Sequence, residues 1–236
     1  MFWIDKQKKR RQAITEQASK ALRSEGYIAI FASEINEAIK PHFADLWLLA
    51  QAIRKSRPEL VLEYGSGYST YVIAETLRQI GRGQMISIEL DSEWLAISKA
   101  RLPSPLQQIV EFRTPRPETR ITKAALPGLD WPNVKSTKPR SVGLATIAFS
   151  ELHDIRPDFV FLDGPGRGQV PGYMDTITGE PLPIIVGDPL VFAQTSKSVF
   201  AVDGRREQTA FLEANLLGYE HDINEVQRFS IFRPAS

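Results

Sequence analysis

The chain predicts an α/β fold: a mostly parallel sheet with helices on both faces, preceded by a helical extension. Three features carry that prediction. Apolar runs of strand length recur at 60–64, 85–90, 159–163 and 199–203, and stretches with helical spacing separate them, which is how β–α–β crossovers read in a sequence. The run Leu60-Val61-Leu62-Glu63-Tyr64-Gly65-Ser66-Gly67 stops on an acid and a glycine turn, where the missing Cβ lets the chain turn tightly and lets a ligand approach the backbone. Two stretches with apolar helical stripes, 5–24 and 42–56, come before any strand.

In order along the chain, residues 5–24 place Ile14, Ala18, Ala21 and Leu22 on one stripe, with Gly26 as a stop signal. A second helix over 42–56 has Phe43, Leu46, Trp47, Leu49, Ala50 and Ile53 on its apolar face; Trp47 reads as core, and Arg57-Pro58 ends the helix. Leu60–Tyr64 is the first strand, and Tyr68–Ile80 the helix after it, stopped at Gly81-Arg82-Gly83. A strand at 85–90, a helix at 94–101 closed by Pro103 and a strand at 109–113 follow. Strands at 159–163 and 199–203, a helix at 206–217 and a last strand at 230–233 complete the pattern. Residues 1–57 are read as the N-terminal extension and 58–236 as the α/β domain. Two stretches, 114–143 and 164–189, are rich in proline, or in glycine and proline, and break the rhythm. The second follows the end of a strand, where open α/β sheets bind ligands. It reads as a lid or a substrate wall, with a disordered insertion as the alternative.

Composition narrows the function classes. Hydrophobic residues at 42% and charged residues at 24% are ordinary for a globular domain, and a net charge of +1 argues for neither nucleic acid nor acidic membrane as partner. The basic cluster Lys6, Lys8, Lys9, Arg10 and Arg11 reads as a solvated helix face. With no cysteine, disulfides, thiolate metal sites and a cysteine nucleophile are excluded. No apolar run approaches the ~20 residues of a membrane helix, and no signal-peptide core is present, so a cytoplasmic location is expected. His42, His153 and His221 are scattered without metal-ligand spacing, and His153 reads as a surface residue.

The chemistry concentrates around the glycine turn. The helix after it offers unpaired N–H groups and a positive dipole end. Glu89 stands at the end of the second strand, 22 residues after Gly67, a place from which a carboxylate can bind ribose hydroxyls.

Three segments carry a family resemblance: Glu63-Tyr64-Gly65-Ser66-Gly67-Tyr68-Ser69-Thr70, Ile86-Ser87-Ile88-Glu89-Leu90-Asp91-Ser92-Glu93-Trp94 and Asp158-Phe159-Val160-Phe161-Leu162-Asp163-Gly164-Pro165. Together they resemble the class I S-adenosylmethionine-dependent methyltransferases, in the small-molecule O-methyltransferase-like branch, over residues 58–236. The resemblance implies a Rossmann-like, seven-stranded methyltransferase sheet and S-adenosylmethionine as cofactor. It places Glu63, Gly65, Ser66 and Gly67 at the methionine end, Ser69 and Thr70 at the start of the adjoining helix, Glu89 on the ribose, and Leu90 and Asp91 near the adenosine. Asp163 would face the substrate side of the sulfonium, and Asp203 would end the neighbouring strand. The two carboxylates would then accept a substrate proton or hold a divalent cation, or simply begin the turns Asp163-Gly164 and Asp203-Gly204.

The departures are informative. The third glycine of the usual turn is replaced, no acid follows the third strand, and Asn/Asp-Pro-Pro-Tyr/Phe is absent, which argues against N-methylation of adenine or glutamine. Gly204 stands where metal-dependent relatives carry a third ligand, so no metal is expected. The expected partner is a small-molecule methyl acceptor, with a homodimer through the N-terminal helices. Two other readings stay open. A nicotinamide-dependent oxidoreductase shares Gly65-x-Gly67 and Glu89, although Thr70 replaces its third glycine and no Tyr-x-x-x-Lys follows. A non-catalytic protein keeping the fold is the other.

Overall fold

The computed structural model describes residues 2–32, 41–122, 144–166, 169–170, 174, 179, 184–224 and 229–235. Their elements are α1 (Phe2–Ser24), α2 (Ala29–Ala32), α3 (Phe43–Ser56), β1 (Leu60–Tyr64), α4 (Tyr68–Ile80), β2 (Gln84–Ile88), α5 (Ser92–Arg101), α6 (Ser104–Gln107), β3 (Val110–Arg113), β4 (Glu118–Thr122), β5 (Leu144–Ala148), β6 (Phe159–Leu162), β7 (Ile184–Val186), α7 (Pro189–Thr195), β8 (Val199–Asp203), α8 (Arg206–Asn215), β9 (Tyr219–Asn224) and β10 (Phe229–Pro234).

Among the described residues seven strands form one sheet in the order β3-β2-β1-β6-β8-β10-β9. The first five run parallel, and β10 returns antiparallel between β8 and β9. The Rossmann-like, mostly parallel sheet expected from the sequence is therefore present. Its order reverses beside β1, with β2 on one flank and β6 on the other, which opens a crevice at the C-terminal ends of these strands.

Strand alternation decides what each face carries. Val61, Phe159, Phe161 and Ala201 pack with Leu49 and Ile53 of α3 and Val72 and Ile73 of α4. Leu62, Tyr64, Val160, Leu162, Phe200 and Val202 pack on the opposite face with Phe192 of α7, Leu212 of α8, and Ile147 and Val186. The N-terminal helices share the first of these cores, since Leu22 and Tyr27 belong to it. The Tyr27 hydroxyl also lies 2.8 Å from Thr76 Oγ1 of α4 and accepts from Arg54 of α3 at 3.0 Å.

Several expectations are corrected. β2 ends at Ile88 and β6 at Leu162, so Glu89, Leu90 and Asp163 lie just past their strands rather than in them. The stretches read as irregular contain β4 and, at their borders, β5, β7 and α7; β4, β5 and β7 make a second, three-stranded sheet. These strands are short, and their pairing is long-range: β5 joins β7 across about forty residues of chain, a contact no local pattern announces. β9 is a further strand that the apolar pattern does not announce, because Tyr219-Glu220-His221-Asp222 is polar, as an edge strand can be. The remaining parts, 123–143 and most of 167–183, lie outside the described residues. Among the described residues, no helix is long and apolar enough to cross a membrane.

Candidate cofactor and acceptor site

A cleft of about 540 Å³ opens at the C-terminal ends of β1, β2, β6 and β8. Its wall brings together Gly65, Ser66, Gly67, Ser69, Glu89, Asp91, Asp163 and Asp203, with Pro41 and His42 just before α3, Leu46 from its first turn and Trp94 from α5. The volume is in the usual range for a small-molecule or cofactor site.

The floor is a contact between two backbones. Gly65 has φ +91°, and a Cβ there would come within 2.7 Å of Gly164 N. Seen from the other side, a Cβ on Gly164 would come within 2.6 Å of Gly65 Cα. The loops after β1 and β6 can close on each other only because both residues are glycine. Asp163 N and Gly164 N both donate to the Tyr64 carbonyl, at 3.0 and 2.5 Å. The sequence pattern explained Gly164 as a turn residue; its packing role depends on β6 lying next to β1.

Glu89 organises the turn. It is 3% exposed; its Oε2 accepts from Ser66 N at 3.0 Å, and its Oε1 from Leu90 N and Asp91 N at 2.9 Å each. Gln169, which sequence reasoning passed over, donates to Oε1 at 3.3 Å. Asp91 caps α5 by accepting from Trp94 N at 2.9 Å. The Trp94 indole then donates to the Ser66 carbonyl, fixing the turn from above. Leu90 packs with the second core and lines a small apolar recess beside Glu89, together with Tyr64, Ile88, Phe149 and Pro165.

Glu63 and Thr70 stand beneath the floor rather than in it. Glu63 shares a strand face with Val61 and is fully buried. Its Oε2 accepts from Ser87 Oγ at 2.5 Å and from Thr70 Oγ1 at 2.6 Å, while Thr70 Oγ1 accepts from Gly67 N at 2.9 Å. Burial pushes the Glu63 carboxyl up to about 7, against the opposing hydrogen bonds from Ser69, Ser87 and Thr70. These residues brace the start of α4.

Asp163 and Asp203 follow the register of β6 and β8, where Leu162 pairs with Val202. Both continue the alternation that puts Phe161 and Ala201 toward α3. Burial, then Asp45, then Asp163 push the Asp203 carboxyl up to about 8. Solvent reaches Asp163 through the cleft, but the surrounding protein still moves its carboxyl upward, with Arg205 and His42 opposing. Arg205 donates to the backbone carbonyls of Asp163, Pro165 and Ile184. Among the described residues no group of three His, Asp or Glu side chains is arranged to hold a metal ion.

Two further sets of residues escaped sequence reasoning. Asp45 occupies the buried side of α3 with Leu49, Ala52 and Ile53; an acid in that helical register was the available signal. His153 keeps a part-exposed side chain, as a surface residue would, but it also pairs with buried Asp188 at 2.8 Å. Asp188 also accepts from Tyr64 OH at 2.8 Å and from Phe149 N at 2.9 Å. This hub ties β1, β5 and α7 together behind the cleft.

No family model matches the chain, and no curated protein matches it. Solved structures do. The S-adenosylhomocysteine-bound methyltransferase PaMTH1 of Podospora anserina aligns with a TM-score of 0.51 at 11% identity, covering 97% of this chain and 96% of that one. A methyltransferase of Geobacter sulfurreducens aligns at 0.49 and 14% identity, covering 95% and 89%. The O-methyltransferase TomG of Streptomyces achromogenes, in complex with S-adenosylmethionine, aligns at 0.47 and 15% identity, covering 94% and 90%. The chain thus shares its fold with the Podospora methyltransferase over almost the whole of both chains.

Proposed function

We propose that this protein is a class I S-adenosylmethionine-dependent methyltransferase that transfers to an oxygen of a small-molecule acceptor. The charge of the cleft carries the reading. Its wall holds Glu89, Asp91, Asp163 and Asp203, and among the described residues no lysine or arginine lines it. An acidic site favours a sulfonium cation and disfavours the diphosphate of a dinucleotide. The S-adenosylhomocysteine in the Podospora structure, which has the same fold, supports the same cofactor.

The residues present fit that group. Gly65, Ser66 and Gly67 would receive its methionine end on bare backbone, with Ser69 at the helix start. Glu89 would accept from the ribose hydroxyls, held in orientation by the Ser66, Leu90 and Asp91 amides. When bound, S-adenosylmethionine supplies an electrophilic methyl group on a positively charged sulfur. The remaining work is positional: the acceptor oxygen must lie on the axis of displacement, and orientation of that kind supplies a large part of such an acceleration. Asp163 takes the hydroxyl proton, and the upward shift of its carboxyl brings it nearer the affinity a general base needs at neutral pH. Asp203 sits beside it as the second carboxyl of the acceptor end.

Isothermal titration with S-adenosylhomocysteine tests the cofactor. Saturable binding at one site is expected, with no heat from NAD. Binding of NAD in its place would reverse the assignment. An Asp163→Asn variant that binds S-adenosylhomocysteine normally and keeps full methyl transfer would remove Asp163 from the mechanism.

A further inference from the structure

Asp163 and Asp203 line the cleft, and Asp45 lies within electrostatic range of both, between the lining residues His42 and Leu46. Asp163, just past β6, and Asp203, at the end of β8, come from adjacent strands on the face that α3 covers. Asp45 comes from the first turn of α3. Asp45 is only 6% exposed. Its Oδ2 lies 3.5 Å from His42 Nδ1, and its Oδ1 has no hydrogen-bond donor among the described residues. A buried carboxylate oxygen with no donor is costly unless something bound supplies one.

The groups facing the cluster leave it acidic. Burial is the first cause pushing Asp45 up to about 6, with Asp163 adding to it and His42 and Arg11 opposing. Asp163 faces Arg205, His42 and Glu89, and Asp203 faces Asp45 and Asp163. Arg205 is committed to three backbone carbonyls, and the His42 side chain is 79% exposed.

We propose that the methyl acceptor is an organic cation, a small amine whose ammonium docks between Asp45 and Asp203 while its receiving oxygen lies beside Asp163. This rests on the methyltransferase reading and names the substrate class of that site. An ammonium brings N–H donors that the Asp45 oxygen lacks. The described residues offer no metal-ligating group of three, so a cation larger than a bare ion fits better. One sulfonium charge does not account for the cluster. Asp163 is next to the glycine floor through the Gly164–Gly65 contact, whereas Asp203 lies one strand further, on β8, and Asp45 on α3.

The test measures binding to the protein saturated with S-adenosylhomocysteine, near neutral pH. The probes are matched sets: phenethylamine, phenylethanol and phenylacetate, then butylamine, butanol and butyrate. In at least one set the amine should bind about tenfold or more tighter than its alcohol, and tighter still than its carboxylate. Its binding heat should vary with the ionisation enthalpy of the buffer, because docking an ammonium expels protons from the carboxyl groups. Asp45→Asn and Asp203→Asn should each remove most of the preference without changing S-adenosylhomocysteine affinity. Equal binding of amine and alcohol, no measurable binding of either amine, or an undiminished preference in folded Asp45→Asn would overturn the proposal. So would Mg²⁺ binding that depends on Asp45 with no amine preference. Should Asp45→Asn fail to fold, Asp203→Asn and the buffer dependence decide. Failure of the methyltransferase reading shows separately, as absent S-adenosylhomocysteine heat, and the amine sets are then titrated into the protein alone.

Discussion

Replacing Gly164 by alanine tests whether the glycine-to-glycine contact builds the floor of the cleft. The added Cβ would lie 2.6 Å from Gly65 Cα, 2.8 Å from Gly65 N and 3.1 Å from Tyr64 C. All three are backbone atoms, so no side-chain rotation relieves the overlap. Reaching ordinary contact near 3.4 Å requires the two loops to separate by roughly 0.8 Å. Overpacking of this kind costs about 1–3 kcal/mol. The parting also stretches the two hydrogen bonds to the Tyr64 carbonyl, worth about 1 kcal/mol each. A loss of ~2–4 kcal/mol is therefore expected in urea unfolding, together with at least a tenfold loss of S-adenosylhomocysteine affinity by calorimetry. Gly81→Ala is the control: φ is +68° there, but a Cβ would meet nothing within 4 Å, so only the backbone preference of about 1 kcal/mol is lost. If Gly164→Ala is no more destabilising than Gly81→Ala, and binds S-adenosylhomocysteine within about twofold of wild type, the contact does not shape the site.

Three other perturbations probe the surroundings. Glu89→Gln keeps the shape of the side chain but replaces one of two acceptor oxygens with a donor, facing the Ser66 amide or those of Leu90 and Asp91; calorimetry should show at least about a tenfold loss of S-adenosylhomocysteine affinity, and an unchanged constant would remove Glu89 from cofactor binding. The Glu63 carboxyl is raised from 4.5 to about 7, so its contribution to stability is present below about pH 4.5 and is lost as pH rises toward 7. Glu63→Gln should accordingly lose ~2 kcal/mol less than wild type between about pH 5 and pH 7, and identical pH profiles in urea unfolding would contradict the burial argument. Asp188→Asn leaves one carbonyl oxygen for the donors from Tyr64, Phe149 and His153; a destabilisation of ~2–4 kcal/mol is expected, and a loss under ~1 kcal/mol would show that the hub does not hold β1 to α7.

Patterns of short range determined a good deal by themselves. The apolar runs of β1 and β8 and the periodicity of α4 are local signals, and their boundaries match the structure. The turn Gly65-Ser66-Gly67 and the acid Glu89 are similarly local, and they line one cleft because parallel strands deliver their C-terminal ends to the same edge. Tertiary structure decided the rest. Glu63 looks like a cleft residue in sequence, but strand alternation turns it under α4. Gly164 reads as a turn until β6 settles against β1 and makes it a packing residue. Asp188, His153 and the three-stranded sheet depend on pairings across tens of residues, which leave no periodic trace. Asp45 is the sharpest case. A single acid on an apolar helix face means little until α3 is laid over the ends of β6 and β8, where burial and two neighbouring carboxyl groups give it a chemical meaning.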